Sequence, residues 1–187
     1  MKLFQKVNMA SETIHSAMRS GIVYANDKTN KAKAGAGDIV IPFGYEVNDV
    51  YGIVDENMMK VIAPVLGTET NLFVLDPVLD PVATNGDLVY RIGVRTLGIE
   101  IPAGQRTAMR QLFANDIFYL GADNFESVPV AGEKFGISAG KTTLKKVESG
   151  EEAAAAVLFR VDLVTNLQQG VGVDGVVPAY LVTVEKI

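Results

Sequence analysis

The sequence predicts a mainly β protein, a sandwich or barrel built from hairpins, with one or two short helices and an extended N-terminal arm. Three observations carry this reading. Apolar runs rich in Val, Ile, Phe and Tyr recur along the chain; Gly, Pro and Asp punctuate them; and no regular helical pattern fills the gaps. Of the 187 residues, 48% are hydrophobic and 21% charged, which is enough apolar material for a packed core.

The first 36 residues read differently from the rest, so the chain divides into an arm over 1–36 and a β-rich body over 37–187. In the arm, Ile14, Ala17, Met18 and Ile22 follow helical spacing and predict a short helix over Ala10–Arg19. The stretch "ANDKTNKAKAGAG" that follows is polar and small with no periodicity, as in a flexible linker. Strands then come in order. "GDIVIPF" (Gly37–Phe43) and "GDLVYRIGVR" (Gly86–Arg95) each begin with Gly-Asp and run into β-branched and aromatic residues, with "NLFVLDPV" (Asn71–Val78) between them. A second helix is predicted at "AGQRTAMRQLFAND", with Ala108, Leu112 and Phe113 facing the core. In "VLFRVDLV", Val157, Phe159, Val161 and Leu163 alternate with Arg160 and Asp162, the pattern of a half-buried strand. "GVGVDGVVP" (Gly170–Pro178) carries an Asp174-Gly175 turn signal, and "AYLVTVEKI" (Ala179–Ile187) closes the chain as a strand.

Charge and composition exclude several function classes. Seventeen basic residues against 22 acidic ones give a net charge of −5, which disfavours nucleic acid as a partner despite the small patch at Lys28, Lys31 and Lys33. With no Cys there is no disulfide framework, zinc-thiolate site or thiol nucleophile. No secretory h-region and no apolar run of membrane-spanning length is visible, so neither a membrane partner nor a leader is expected.

The motif nearest to enzyme chemistry is "FGISAGKTTL" (Phe135–Leu144). Gly140-Lys141-Thr142 matches the end of a phosphate-binding loop, but the leading glycine is Gly136, one residue too close, and β-branched residues follow where a helix should start. The better parse is a hairpin turning at Ala139-Gly140. In "LDPVLDPV" (Leu75–Val82), Asp76 and Asp80 would lie about 13 Å apart on an extended chain, too far to share one ion. His15, the single histidine, sits in the arm, a poor place for a catalytic base. Glu151-Glu152 and Asp123/Glu126 read as solvated turns. Tyr24, Phe43, Tyr45, Tyr51 and Phe73 suit core or interface packing better than sugar stacking, because no Trp accompanies them. No catalytic residue, metal ligand or cofactor is expected.

The remaining features are the arm "YANDKTNKAKAGAG" leading into "GDIVIPF", the second "GDLVYRIG", and the "PVAGEKFGIS" hairpin region. Together they resemble, in style over most of the chain, the head decoration (cement) proteins of tailed bacteriophages. The resemblance implies a non-enzymatic virion protein, made in the host cytoplasm. It would clamp the outer capsid surface where major coat subunits meet, as a homo-oligomer with a trimer favoured by symmetry. On this reading the arm orders on its partner, and Phe4, Ile14, Ile22 and Tyr24 are the partner-binding residues. Deleting Met1–Ala36 should then leave a folded body. A tail or receptor-binding β-module, or a β-fold hydrolase, are the alternatives.

Overall fold

The computed structural model describes residues 2–13, 18–23, 34–48, 53–77, 100–101, 106–168 and 176–187. They form strands β1 (Phe4–Asn8), β2 (Met18–Val23), β3 (Ala34–Gly35), β4 (Ile39–Asn48), β5 (Ile53–Ile62), β6 (Phe73–Leu75), β7 (Glu100–Ile101), β8 (Arg106–Gln111), β9 (Ile117–Gly121), β10 (Lys134–Gly136), β11 (Lys145–Lys146), β12 (Leu158–Gln168) and β13 (Val176–Lys186). The protein is mainly β, as the sequence predicts, and both predicted architectures are present. One is a closed barrel in the order β2-β5-β4-β6-β8; the other is a six-stranded antiparallel sheet in the order β1-β9-β13-β12-β10-β11. They pack face to face in a sandwich-like arrangement.

The packing follows from the apolar runs. In β4, Val40 points into the barrel with Val61, Phe73, Leu75 and Met109, while Ile39 joins the layer between barrel and sheet. In β6, Phe73 and Leu75 face inward while Val74 faces the sheet. A strand buried on both faces needs a continuous apolar sequence, which explains why "DIVI" and "NLFVL" do not alternate. The sheet supplies Phe118, Leu120, Phe135, Phe159, Val161, Tyr180, Val182 and Val184 to the shared layer. Phe125 packs there edge-on against Phe135 and Tyr180, with ring centroids 4.9 and 5.5 Å apart.

Both predicted helices are corrected. Among the described residues of the first, Ala10–Glu12 form one 3-10 turn, and Met18 and Arg19 belong to β2. β2 closes the barrel by pairing parallel with β5 and antiparallel with β8, and those two ladders outweigh the helical spacing of its side chains. The second, "AGQRTAMRQLFAND", contains β8, paired on both sides with β2 and β6, with Met109 inside the barrel. Short apolar runs satisfy either period, and pairing decides between them.

The described parts of the predicted arm include three strands. β1 pairs with β9 in the large sheet, β2 lies in the barrel, and β3 pairs with β7. The described parts of residues 1–36 are therefore built into the body. The strand over Gly86–Arg95, most of "ANDKTNKAKAGAG" and the Asp174-Gly175 turn lie outside the described residues. The turn's flanks are nevertheless paired as expected, β12 with β13 from Leu158↔Lys186 to Gln168↔Val176.

Candidate interaction surface

Three buried polar side chains hold the N-terminal segment in place. Asn124 is 1% exposed; its Oδ1 accepts the N–H groups of Leu3 (3.0 Å) and Gly121 (3.1 Å), and its Nδ2 donates to the carbonyl of Ala36 (2.9 Å). Asp38 accepts from the Lys2 ammonium and from the Gly35 N–H (2.9 Å). Burial pushes its carboxyl above the usual range, and the Lys2 charge only partly opposes this. Asp116 accepts the N–H groups of Ala10 (2.7 Å) and Phe113 (2.9 Å); burial raises its pKa too, against those two bonds. Gly37 completes the junction: its φ is +80°, and a Cβ there would meet Leu120, the Leu3 carbonyl and Asn124 within 2.9 Å.

These contacts decide the fate of the predicted partner-binding residues. Phe4 is 2% exposed and packs against Phe118 with centroids 5.6 Å apart, so it belongs to the core and is not available to a partner. Ile22 lies in β2, opposite Lys60 and Arg106. Ile14 and Tyr24 lie outside the described residues, as does His15.

The phosphate-loop lookalike is a hairpin. β10 and β11 pair through Phe135↔Lys146 and Gly136↔Lys145, and Gly140 takes φ +74° in the connection. The Gly140 N–H, which a phosphate would need, donates to the Pro64 carbonyl at 2.6 Å. Lys141 lies 3.3 Å from Glu126. Asp76 is paired with buried Arg110 at 2.5 Å, while Asp80 lies outside the described residues. Phe73 is in the barrel core, apart from the half-exposed Tyr45, so no aromatic platform forms between them. Among the described residues, no group of three or more His, Cys, Asp or Glu is placed to hold a metal ion, and no helix is long and apolar enough to cross a membrane.

What the molecule does present is a set of apolar tips on two stiffened turns along the β10–β11 margin of the sheet. Leu66 is 74% exposed and Val65 51%. Their loop is closed by Glu69, whose carboxylate accepts N–H bonds from Val65 (2.7 Å), Leu66 (2.6 Å) and Thr68 (3.1 Å). Burial pushes the Glu69 carboxyl up, but the backbone N–H groups of Leu66, Glu69, Val65 and Gly67 together hold it below the usual range. At the other end of β10, Val128 is 75% exposed and Val130 58%. The Glu133 carboxylate accepts the Val130 N–H at 2.9 Å and pairs with Lys146, and the bond to Lys146 is the larger reason that its pKa is lowered. Beside the Glu69-closed turn lies an open groove of about 610 Å³, lined by Gly67, Thr68, Gly136, Ile137, Lys145 and Val157 among others.

A second apolar set lies on β12. The alternation predicted through Val161 holds for Val157, Phe159 and Val161, all buried, but not for Leu163, which is half-exposed. Between Val161 and Leu163 the register with β13 slips by one residue, a β-bulge that carries Leu163 to the face of Leu181, with Arg160 and Asp162. No protein-family model, curated protein or solved structure matches the chain.

Proposed function

We propose that this chain is a structural virion component that docks on the outer surface of a capsid and strengthens contacts between major coat subunits. The observation that carries the reading is the pair of carboxylate-closed turns presenting Leu66, Val65, Val128 and Val130 to solvent. Apolar side chains on ordered turns lose little conformational freedom on association, so more of their burial appears as affinity. Each leucine-sized anchor contributes about 1.5–3 kcal/mol when fully buried, and several copies on one lattice multiply weak contacts. The mode of binding is clamping by a rigid body, because β1, β2 and β3 are already committed to the fold.

The test is capture of the protein from its native source with quantitative mass spectrometry of what accompanies it. One coat-like protein in near-stoichiometric amount, lost with Leu66→Asp or Val128→Asp, is the expected result. Recovery with tail components would move the protein to another part of a virion. Recovery alone, with substrate turnover that depends on one carboxylate, would replace the structural reading with an enzymatic one.

A further inference from the structure

The backbone directions along β12 define a second, independent interface. The Val184 N–H donates to the Asp116 carbonyl and the Val184 carbonyl accepts from Asn115, so both groups of Val184 point toward β9. Alternation along β13 turns Val182, Tyr180 and Pro178 the same way, and turns Thr183, Leu181, Ala179 and Val177 toward β12. Their partners Leu163, Thr165 and Leu167 are thereby bonded to β13. Val164, Asn166 and Gln168 direct their N–H and C=O groups outward, to the far side of β12.

Among the described residues, that far side is filled as far as Val161. There the Gly132 N–H donates to the Val161 carbonyl (2.7 Å) and the Val161 N–H to the Glu133 carbonyl (3.0 Å). The neighbouring chain then turns away, because the Glu133 N–H bonds back to the Val130 carbonyl. From Asp162 to Gln168, no described strand pairs with the outer edge of β12. The opposite edge of the same hairpin is treated differently. β9 ends at Gly121↔Ala179, and the next residue whose N–H would face outward there is Pro178, which has none. One margin of the ribbon is blunted, and the other is left open by the described strands, with half-exposed Leu163 and Val164 beside it.

We propose that the β12 edge from Asp162 to Gln168 pairs antiparallel with the same edge of a second copy of this chain, about a twofold axis through Thr165. The stretch "DLVTNLQ" is self-complementary about that residue. Val164 meets Asn166 of the second copy, both with outward backbone groups, so each such pair exchanges two hydrogen bonds. Leu163 meets Leu167 and Thr165 meets Thr165, cross-strand pairs that extend one apolar row across the junction. The electrostatics also select a second copy. A chain of net charge −5 repels itself over most of its surface. On this edge the only ionisable residue is Asp162, bonded to Arg160 at 2.6 Å and to the Thr183 hydroxyl, and the register sets it against Gln168. Two copies therefore meet here without opposing like charges. The contact is twofold, distinct from the threefold expected from lattice symmetry alone, and does not depend on the capsid reading.

Sedimentation velocity over a wide concentration range, paired with amide hydrogen exchange, tests this. The expected result is a reversible dimer in which the Val164 and Asn166 amides exchange at least about tenfold more slowly than in dilute monomer, while Leu163 and Thr165 are slow in both. Val164→Lys and Val164→Pro should give monomers with unchanged circular dichroism, since the proline removes only an outward N–H. A monomer at every concentration, whether its edge amides exchange quickly or slowly, overturns the proposal. So does a dimer that both substitutions leave intact.

Discussion

Replacing Asn124 by Ala removes the one side chain that joins the start of β1, the approach to β4 and the end of β9. In the native protein the Gly121 N–H has a second acceptor, the Leu3 carbonyl at 3.3 Å, so it keeps a partner after the change. Among the described residues, the Leu3 N–H and the Ala36 carbonyl have no other bond to fall back on in this junction. Two buried groups left unsatisfied, at about 1–3 kcal/mol each, give an expected loss of about 4 kcal/mol. For a chain of this size that corresponds to a fall in Tm of roughly 10 °C. Urea unfolding should show a lower midpoint with an unchanged m-value, and hydrogen exchange should show faster opening of β1 than of β12. Asn124→Asp provides a control in sign. Above its pKa the carboxylate faces the Ala36 carbonyl and repels it; on acidification the protonated acid can donate again, so part of the loss should be recovered. A loss under about 1 kcal/mol for Asn124→Ala, or uniform acceleration of exchange, would refute the view that this residue latches the N-terminal segment.

Deleting Met1–Ala36, which would spare a body with an appended arm, should instead abolish the native circular dichroism spectrum, because it removes one sheet strand and one barrel strand; a cooperative unfolding transition in the truncated chain would contradict this. Gly37→Ala should cost at least about 1 kcal/mol more than Gly140→Ala, since both have positive φ but only the first has atoms where the Cβ must go; equal midpoints in urea would refute it. Asp116 has a raised folded pKa, so its contribution is fully present below the ordinary value of 3.8 and is lost as pH rises through the folded value. The penalty of Asp116→Asn should therefore shrink as pH rises across that window, and parallel stability-against-pH curves would count against it. Lys141→Ala should change stability by less than about 0.5 kcal/mol, the worth of an exposed ion pair, and calorimetric titration with ATP should show no Lys141-dependent heat.

The parts of the fold that were legible are those where side-chain chemistry alone sets the outcome. "DIVI" and "NLFVL" announce strands buried on both sides, and Gly140 announces a turn in place of a nucleotide loop. The parts that were hidden depend on which strand lies alongside. Nothing within "MRSGIV" says that it runs parallel to β5 and antiparallel to β8, and the segment by itself displays only its side-chain spacing. The placement of the described N-terminal residues is hidden for a related reason. Lys2, Leu3, Ala10 and Gly35 find their partners in Asp38, Asn124 and Asp116, and all but one of those partnerships span dozens of residues.

The candidate surfaces divide along the same line. The closed turns are local devices, a carboxylate three or four residues from the N–H groups it collects, so "PVLGTE" and "VPVAGE" contain the whole arrangement and reading them needed only the question of where Glu69 and Glu133 point. The β12 edge could not have been found that way. By strict alternation Leu163 belongs with Val161 in the core, and only the single-residue slip against β13 moves it to the outer face and turns the backbone groups of Val164 and Asn166 outward. A bulge spends one residue of register and reverses the meaning of every residue after it. The same slip that costs the core a leucine supplies the edge with one, so the most apolar unpaired margin among the described strands exists because of an irregularity that periodicity cannot express.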